Sequence, residues 1–313
     1  MTDFLGAEVW RGGVNNWQCD EMGHLNVRFY VGLAEEGLAL LMAELGLDHA
    51  FAAGSGSTVI FLEQHIRFLR EAHGGSTLYM TAGVLEMGES DARVLLILRH
   101  TRSGEPCATF VARVAHVTAR DLRPFAWPEA ARRKAQALKA PDVPDFAAPR
   151  SVPLEPFETT ANLERAQTNG MVRLARGMIL PEDVDVFGRM ASRTFIGRIS
   201  DGITVVVADF RETVVKYADY PVARFGGAVL EQRLVYLRWP RAGDRFEIRT
   251  GANMVNARVQ GLIHWMLDPA SGEPWAVAEA RVVTFDLDAR KIVPVSEEAQ
   301  TFLRAKMPKD LAL

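Results

Sequence analysis

One nine-residue pattern occurs twice in this 313-residue chain. LEQHIRFLR occupies 62–70 and LEQRLVYLR occupies 230–238, 168 residues further on. SGEP at 103–106 returns at 271–274, and Ala112-Arg113-Val114 returns as Ala280-Arg281-Val282, both at that same spacing. A second pair of segments aligns at a spacing of 165: CDEMGHLNVRFYVGLAEEG at 19–37 lies over VDVFGRMASRTFIGRISDG at 184–202. Its identities are Asp20/Asp185, Gly23/Gly188, Arg28/Arg193, Gly32/Gly197 and Gly37/Gly202. A repeat held in register over several blocks means one folding unit present twice. The change of spacing from 165 to 168 is expected in a loop between the blocks, where added length costs little.

This reading gives a first unit at 1–125, a joining segment at 126–164 and a second unit at 165–313. The joining segment opens with a charged helical patch, PEAARRKAQALKA, and becomes Pro-rich in APDVPDFAAPRSVPLEP, a linker composition. Within the first unit, Val27, Tyr30, Val31, Ala34, Leu38, Leu41, Met42 and Leu45 form a broad helical stripe. Asn26 suits the cap before that helix, and Gly46 suits a left-handed stop after it. Four β-rich runs follow at 58–69, 77–87, 92–101 and 108–118, and a weaker one precedes the helix at 7–14. The order β-α-β-β-β-β predicts an α+β unit, one long helix laid on one antiparallel sheet.

Composition sets outer bounds. A net charge of −3 argues against a broad nucleic-acid surface. Cys19 and Cys107 are the only cysteines, too few for a disulfide framework and in keeping with a reducing compartment. The start, MTDFLGAEVW, has neither the basic nor the apolar region of a secretion signal. No apolar run approaches the roughly 20 residues of a membrane span. The expectation is a cytoplasmic protein without nucleic-acid or membrane partners.

The element order, with Asp20, Gly23, His24, Asn26 and Tyr30 at the helix entrance and Ala34-Glu35-Glu36-Gly37 behind them, resembles the hotdog-fold acyl-CoA thioesterases. The 4-hydroxybenzoyl-CoA thioesterase-like group is the best match. Both halves fit, so the resemblance implies a tandem, double hotdog: two units, each a long central helix wrapped by an antiparallel sheet. Hotdog dimers carry sites at the subunit interface. Here the two halves would pair within one chain, with further homo-oligomerisation left open.

Thioester hydrolysis needs a nucleophile or a base for water, and donors for the developing oxyanion. Asp20 suits the first role by either route. Backbone N–H groups from Gly23 to Val27, at a helix entrance, suit the second. His24 and Asn26 would orient water or thioester; equally, both suit local loop bonding, and Asp20 suits a plain cap. Gly23, Val27, Tyr30 and Gly188 are the expected substrate contacts. In the second copy His24 becomes Arg189 and Asn26 becomes Ala191, while Asp185 remains. The first loop is therefore the favoured catalytic loop. The alternatives are that both loops work, or that Asp185, or its neighbour Asp183, works alone.

The repeated Glu63 and Glu231 are expected to face outward on alternating strands. Arg67, Arg70, Arg113, Arg238 and Arg281 would reach CoA phosphates or be ordinary surface residues, the latter being expected of any single one. The spacing of Cys19, Asp20, Glu21 and His24 fits no zinc pattern, so no metal is expected, and no cofactor. A Gly-x-Ser-x-Gly elbow and a phosphate-binding Gly-x-x-x-x-Gly-Lys loop are both absent. The other functions considered are a silent acyl-thioester binding module and an enoyl-thioester hydratase of the same fold.

Overall fold

The computed structural model describes residues 6–308 and 311–313, apart from the side chains of 205 and 206. Its contacts divide the chain into two compact units. The first comprises 1–148 and 181–196; the second comprises 149–180 and 197–313.

In the first unit, β1 (Ala7–Gly13) leads through a short 3₁₀ turn to helix α1 (Val27–Glu44). Strands β2 (Ser57–Phe68), β3 (Thr77–Met87), β4 (Asp91–His100) and β5 (Pro106–Thr118) follow. They pair antiparallel in the order β1-β3-β4-β5-β2. Helix α1 buries Tyr30, Val31, Ala34, Leu38, Leu41 and Met42, which belong to the stripe read from the sequence. It lies against β1, β3 and β4. Gly37 makes that approach close: a Cβ there would come within 2.5 Å of Met80 Sδ on β3 and 2.9 Å of Leu96 on β4. The helix ends as expected, with Gly46 at φ +86° and the Leu47 amide reaching back to the Met42 carbonyl.

The joining segment is no free tether. Helix α2 (Glu129–Ala137) leads into Lys139, which bridges to Val84 on β3. Ala140 and Ala147 are buried against Leu85, Leu95 and Ile97.

The second unit repeats the plan. A short helix α3 (Leu163–Thr168) precedes β6 (Val172–Met178). Helix α4 (Ser192–Lys216) is followed by β7 (Phe225–Tyr236), β8 (Arg245–Val255), β9 (Gln260–Leu267) and β10 (Pro274–Asp286). The order β6-β8-β9-β10-β7 is that of the first unit, with a short β11 (Lys291–Ile292) added on β10. Gly202 stands where Gly37 does, and a Cβ there would meet the Leu174 carbonyl of β6 at 2.7 Å. A C-terminal helix α5 (Glu297–Arg304) packs Ala299 and Leu303 against Val214, Val255 and Val293.

The change of repeat spacing lies partly in a helix, not only in a loop. Helix α4 has 25 residues and α1 has 18. Where the first copy has Leu45-Gly46-Leu47, the second has Phe210-Arg211-Glu212. Without the left-handed glycine the helix runs on.

Both repeats carry a bulge at the first residue of LEQ: Leu62 and Leu230 are skipped in the ladder. Two repeated features expected at the surface are buried in the second copy, at Glu231 and Arg281, whereas in the first copy Glu63 is half-buried and Arg113 exposed. Glu231 is 2% exposed and accepts the Arg150 and Ser151 amides and the Ser151 hydroxyl. Arg281 donates to the Ser151 carbonyl, and Arg67 to the Ala148 carbonyl. The Pro-rich segment offers amides and carbonyls that do not pair in a helix or ladder; Glu231 accepts from the amides, and Arg67 and Arg281 donate to the carbonyls.

Candidate active site

Residues 19–26 form a closed turn at the start of α1. Asp20 Oδ1 accepts the Met22 amide at 2.9 Å and the His24 amide at 3.0 Å. The Asp20 amide donates to the His24 carbonyl, and the Gly23 amide to the Asp20 carbonyl. Gly23 sits at φ +79°, which L side chains rarely adopt, so the turn requires glycine. The second loop is built identically: Asp185 Oδ1 accepts the Phe187 and Arg189 amides, and Gly188 has φ +74°. The repeated Asp-x-x-Gly is thus first a folding device. It is not the helix cap; Asn26 caps α1 by accepting the Arg28 amide at 2.9 Å.

The loops differ at the second carboxylate oxygen. Asp185 Oδ2 is held by Arg189, with Nε at 3.0 Å and Nη2 at 2.7 Å, and the guanidinium is buried. Asp20 Oδ2 has no hydrogen-bond partner among the described residues, because position 24 carries histidine.

The helix entrances differ as well. Amides 22 to 26 are all engaged: the Leu25 amide donates to the Ala72 carbonyl and the Asn26 amide to the Gln18 carbonyl. The expected donor array of Gly23 to Val27 therefore narrows to Val27, whose N–H has no acceptor among the described residues. A helix-entrance N–H without a partner favours an anion. At α4, Ala191 cannot cap, and a carboxylate from α1 takes over. Glu35 accepts the Ser192 hydroxyl at 2.5 Å and the Arg193 amide at 3.2 Å, and pairs with the Arg193 guanidinium at 2.6 Å. That helix terminus already holds an internal anion.

Tyr30, expected at the substrate, is buried, edge-on to Phe68. Burial, with Cys107, Glu71 and Asp20 nearby, pushes its phenol well above the usual tyrosine range, while a hydrogen bond at the Ala72 backbone opposes this. It is a neutral support beneath the loop, too buried to form its open surface. Asp183 is buried, and its carbonyl holds the Ala191 amide and the Thr194 hydroxyl. His24 Nε2 lies 3.5 Å from Glu71, which also meets His73 at 3.4 Å. A half-open cleft of about 480 Å³ beside α1 is lined by Gln18, Arg28, Phe29, Glu35, Glu36 and Arg193.

Glu35, Glu71 and His73 were not among the residues expected at the site. Asymmetry between the copies was the available signal: Glu71-Ala72-His73 corresponds to Trp239-Pro240-Arg241.

A family model described as the thioesterase-like superfamily matches residues 14–145 and 179–303, most of both copies. The chain belongs to the thioesterase-like superfamily. Among solved structures, a Lactobacillus plantarum protein assigned as an oleoyl thioesterase aligns with this superfamily member at a TM-score of 0.65 and 10% identity. The alignment covers 88% of this chain and 96% of that one. An acyl-ACP thioesterase from Bacteroides thetaiotaomicron aligns at 0.60 and 12% identity, over 88% and 96%. The 12:0-ACP thioesterase of Umbellularia californica aligns at 0.60 and 11%, over 87% and 92%. At these identities the likeness is one of fold, and it supports the tandem hotdog architecture. A search of curated protein sequences finds no match. Among the described residues, no helix is long and apolar enough to cross a membrane.

Proposed function

We propose that this chain hydrolyses acyl-CoA thioesters, or thioesters of a related phosphopantetheine thiol, at the first loop. The observation that carries this reading is the asymmetry of the two aspartates. Asp20 spends one oxygen on its turn and keeps the other for chemistry; Asp185 spends both on structure. Asp20 Oδ2 attacks the thioester carbon, forming an anhydride and releasing thiolate, and water then hydrolyses the anhydride to regenerate the carboxylate; or it takes a proton from a water that attacks the thioester directly. In both routes the C–S bond breaks and a free acid and a thiol result. The Val27 N–H and the positive end of α1 stabilise the carbonyl oxygen as it becomes an oxyanion. The second loop, with its aspartate neutralised by Arg189 and its helix entrance filled by Glu35, is a scaffold.

Thiol release from short, long and aromatic acyl-CoAs, and from acyl-ACP, tests this with the wild type, Asp20→Asn and Asp185→Asn. Asparagine keeps an acceptor for the turn amides and removes the carboxylate. Asp20→Asn is expected to lose at least about 100-fold in kcat, while Asp185→Asn stays near wild type. Loss confined to Asp185→Asn would move catalysis to the other loop. Binding of a thioester without turnover by the wild type would leave a binding module.

A further inference from the structure

We propose that His24, Glu71 and His73 form a binding site for a divalent transition-metal ion of the zinc type. The fold, not the local sequence, assembles it. The Leu25 amide donates to the Ala72 carbonyl, and residues 24 and 73 form an antiparallel bridge. This fastens the Asp20 turn to the segment after β2 and brings together side chains about 50 positions apart in the chain. Glu71 and His73 flank the buried Ala72, and the Glu71 carboxylate reaches both imidazoles.

The donor geometry fits an ion. His24 Nε2 lies 3.5 Å from Glu71 Oε1, and His73 Nε2 lies 3.4 Å from Oε2. One donor atom from each residue can be chosen so that all three lie within 4.8 Å of one another. Bonds of about 2.0–2.2 Å to a shared zinc ion need donor separations slightly over 3 Å, so small side-chain rotations close the site. Two imidazoles and one carboxylate are a donor set that binds zinc and other first-row divalent ions and leaves positions for water.

The surroundings support the same role. His73 Nδ1 lies 3.1 Å from the Gly23 carbonyl, which can only accept, so Nδ1 carries the proton. Nε2 then presents its lone pair toward the other donors, the outer hydrogen bond typical of a metal-ligating histidine. His73 is half exposed and His24 is 14% exposed, so the ion has an entry path and room for water. The second copy has Arg189, Trp239 and Arg241 at the three positions and cannot bind an ion there. The bound ion clasps the Asp20 turn to the 71–73 segment and fixes His24.

The test is Zn²⁺ binding to the full chain after chelator treatment, by calorimetry, with Co²⁺ absorption as a report of coordination. It requires no thioester, so its failure is separate from failure of the thioesterase reading. One equivalent of Zn²⁺ is expected, with a rise in Tm. His73→Ala and Glu71→Gln, checked for folding by circular dichroism, are expected to weaken binding by about tenfold or more. His49→Ala, at an exposed histidine elsewhere, serves as control and is expected to bind like wild type. No saturable uptake, uptake unchanged in both site variants, or uptake lost in His49→Ala overturns the proposal.

Discussion

Replacing Val27 with proline isolates one atom of the proposed machinery. Val27 is the first residue of α1, and its N–H is the amide of this entrance that has no acceptor among the described residues. Proline is favoured at that helix position, because its missing N–H makes no intrahelical bond and its fixed φ suits the helix. The residue before proline must be extended, and Asn26 already is, at φ −67° and ψ 143°. Capping through Asn26 Oδ1 uses the Arg28 amide, which the substitution leaves in place. The stability change should therefore stay within about 1 kcal/mol, a Tm shift of a few degrees at most. Loss of an oxyanion donor costs about 10²–10³ in kcat, or about 2.7–4 kcal/mol. KM should change little, because the donor acts on charge that develops after binding. Val27→Ala removes the side chain, keeps the N–H and should retain activity. Thiol-release kinetics and thermal melts of the three proteins give the answer. A folded Val27→Pro protein with wild-type kcat, or one with raised KM alone, would refute the assignment of this N–H to the transition state.

Arg189→Ala leaves the part-exposed Asp185 carboxylate without its guanidinium and should destabilise the protein by about 1–3 kcal/mol in urea melts, with kcat at the first loop nearly unchanged. Gly23→Ala forces a side chain into positive φ, but its Cβ would meet nothing within 4 Å; the cost should be the conformational one, about 1–2 kcal/mol, read by thermal melting. His264 is buried, 2.7 Å from the Thr250 hydroxyl, and burial lowers its pKa from 6.5 to about 4. The unfolded chain takes up this proton first as pH falls. The contribution to stability is therefore complete above about pH 6.5 and is lost as pH falls toward 4, by on the order of 3 kcal/mol. Urea melts at pH 7 and 4.5 should show this loss, and His264→Gln should remove most of the difference.

Much of this protein is legible in its residues. The repeat announces two units, and the α1 stripe and the strand runs follow from periodicity, because side chains must face one core in each element. Asn26 as cap and Gly46 as stop need only local geometry, and both stand where the sequence puts them. The first loop stood out through the degenerate copy, since Arg189 and Ala191 replace His24 and Asn26.

Other features depend on partners distant in the chain, which no local pattern encodes. The burial of Glu231 and Arg281 is set by a proline-rich segment more than 70 positions away, whose amides and carbonyls had to be paired somewhere. Glu35 became a cap for α4 because Ala191 offers no side-chain oxygen and the turn of α1 that carries Glu35 lies beside that helix entrance. The meeting of His24 with Glu71 and His73 follows from a backbone bridge between two loops. Sequence fixes what each residue can donate, accept or bury. Only tertiary packing decides which of those groups are consumed by the fold, and so which oxygen and which N–H at the start of α1 are left over for chemistry.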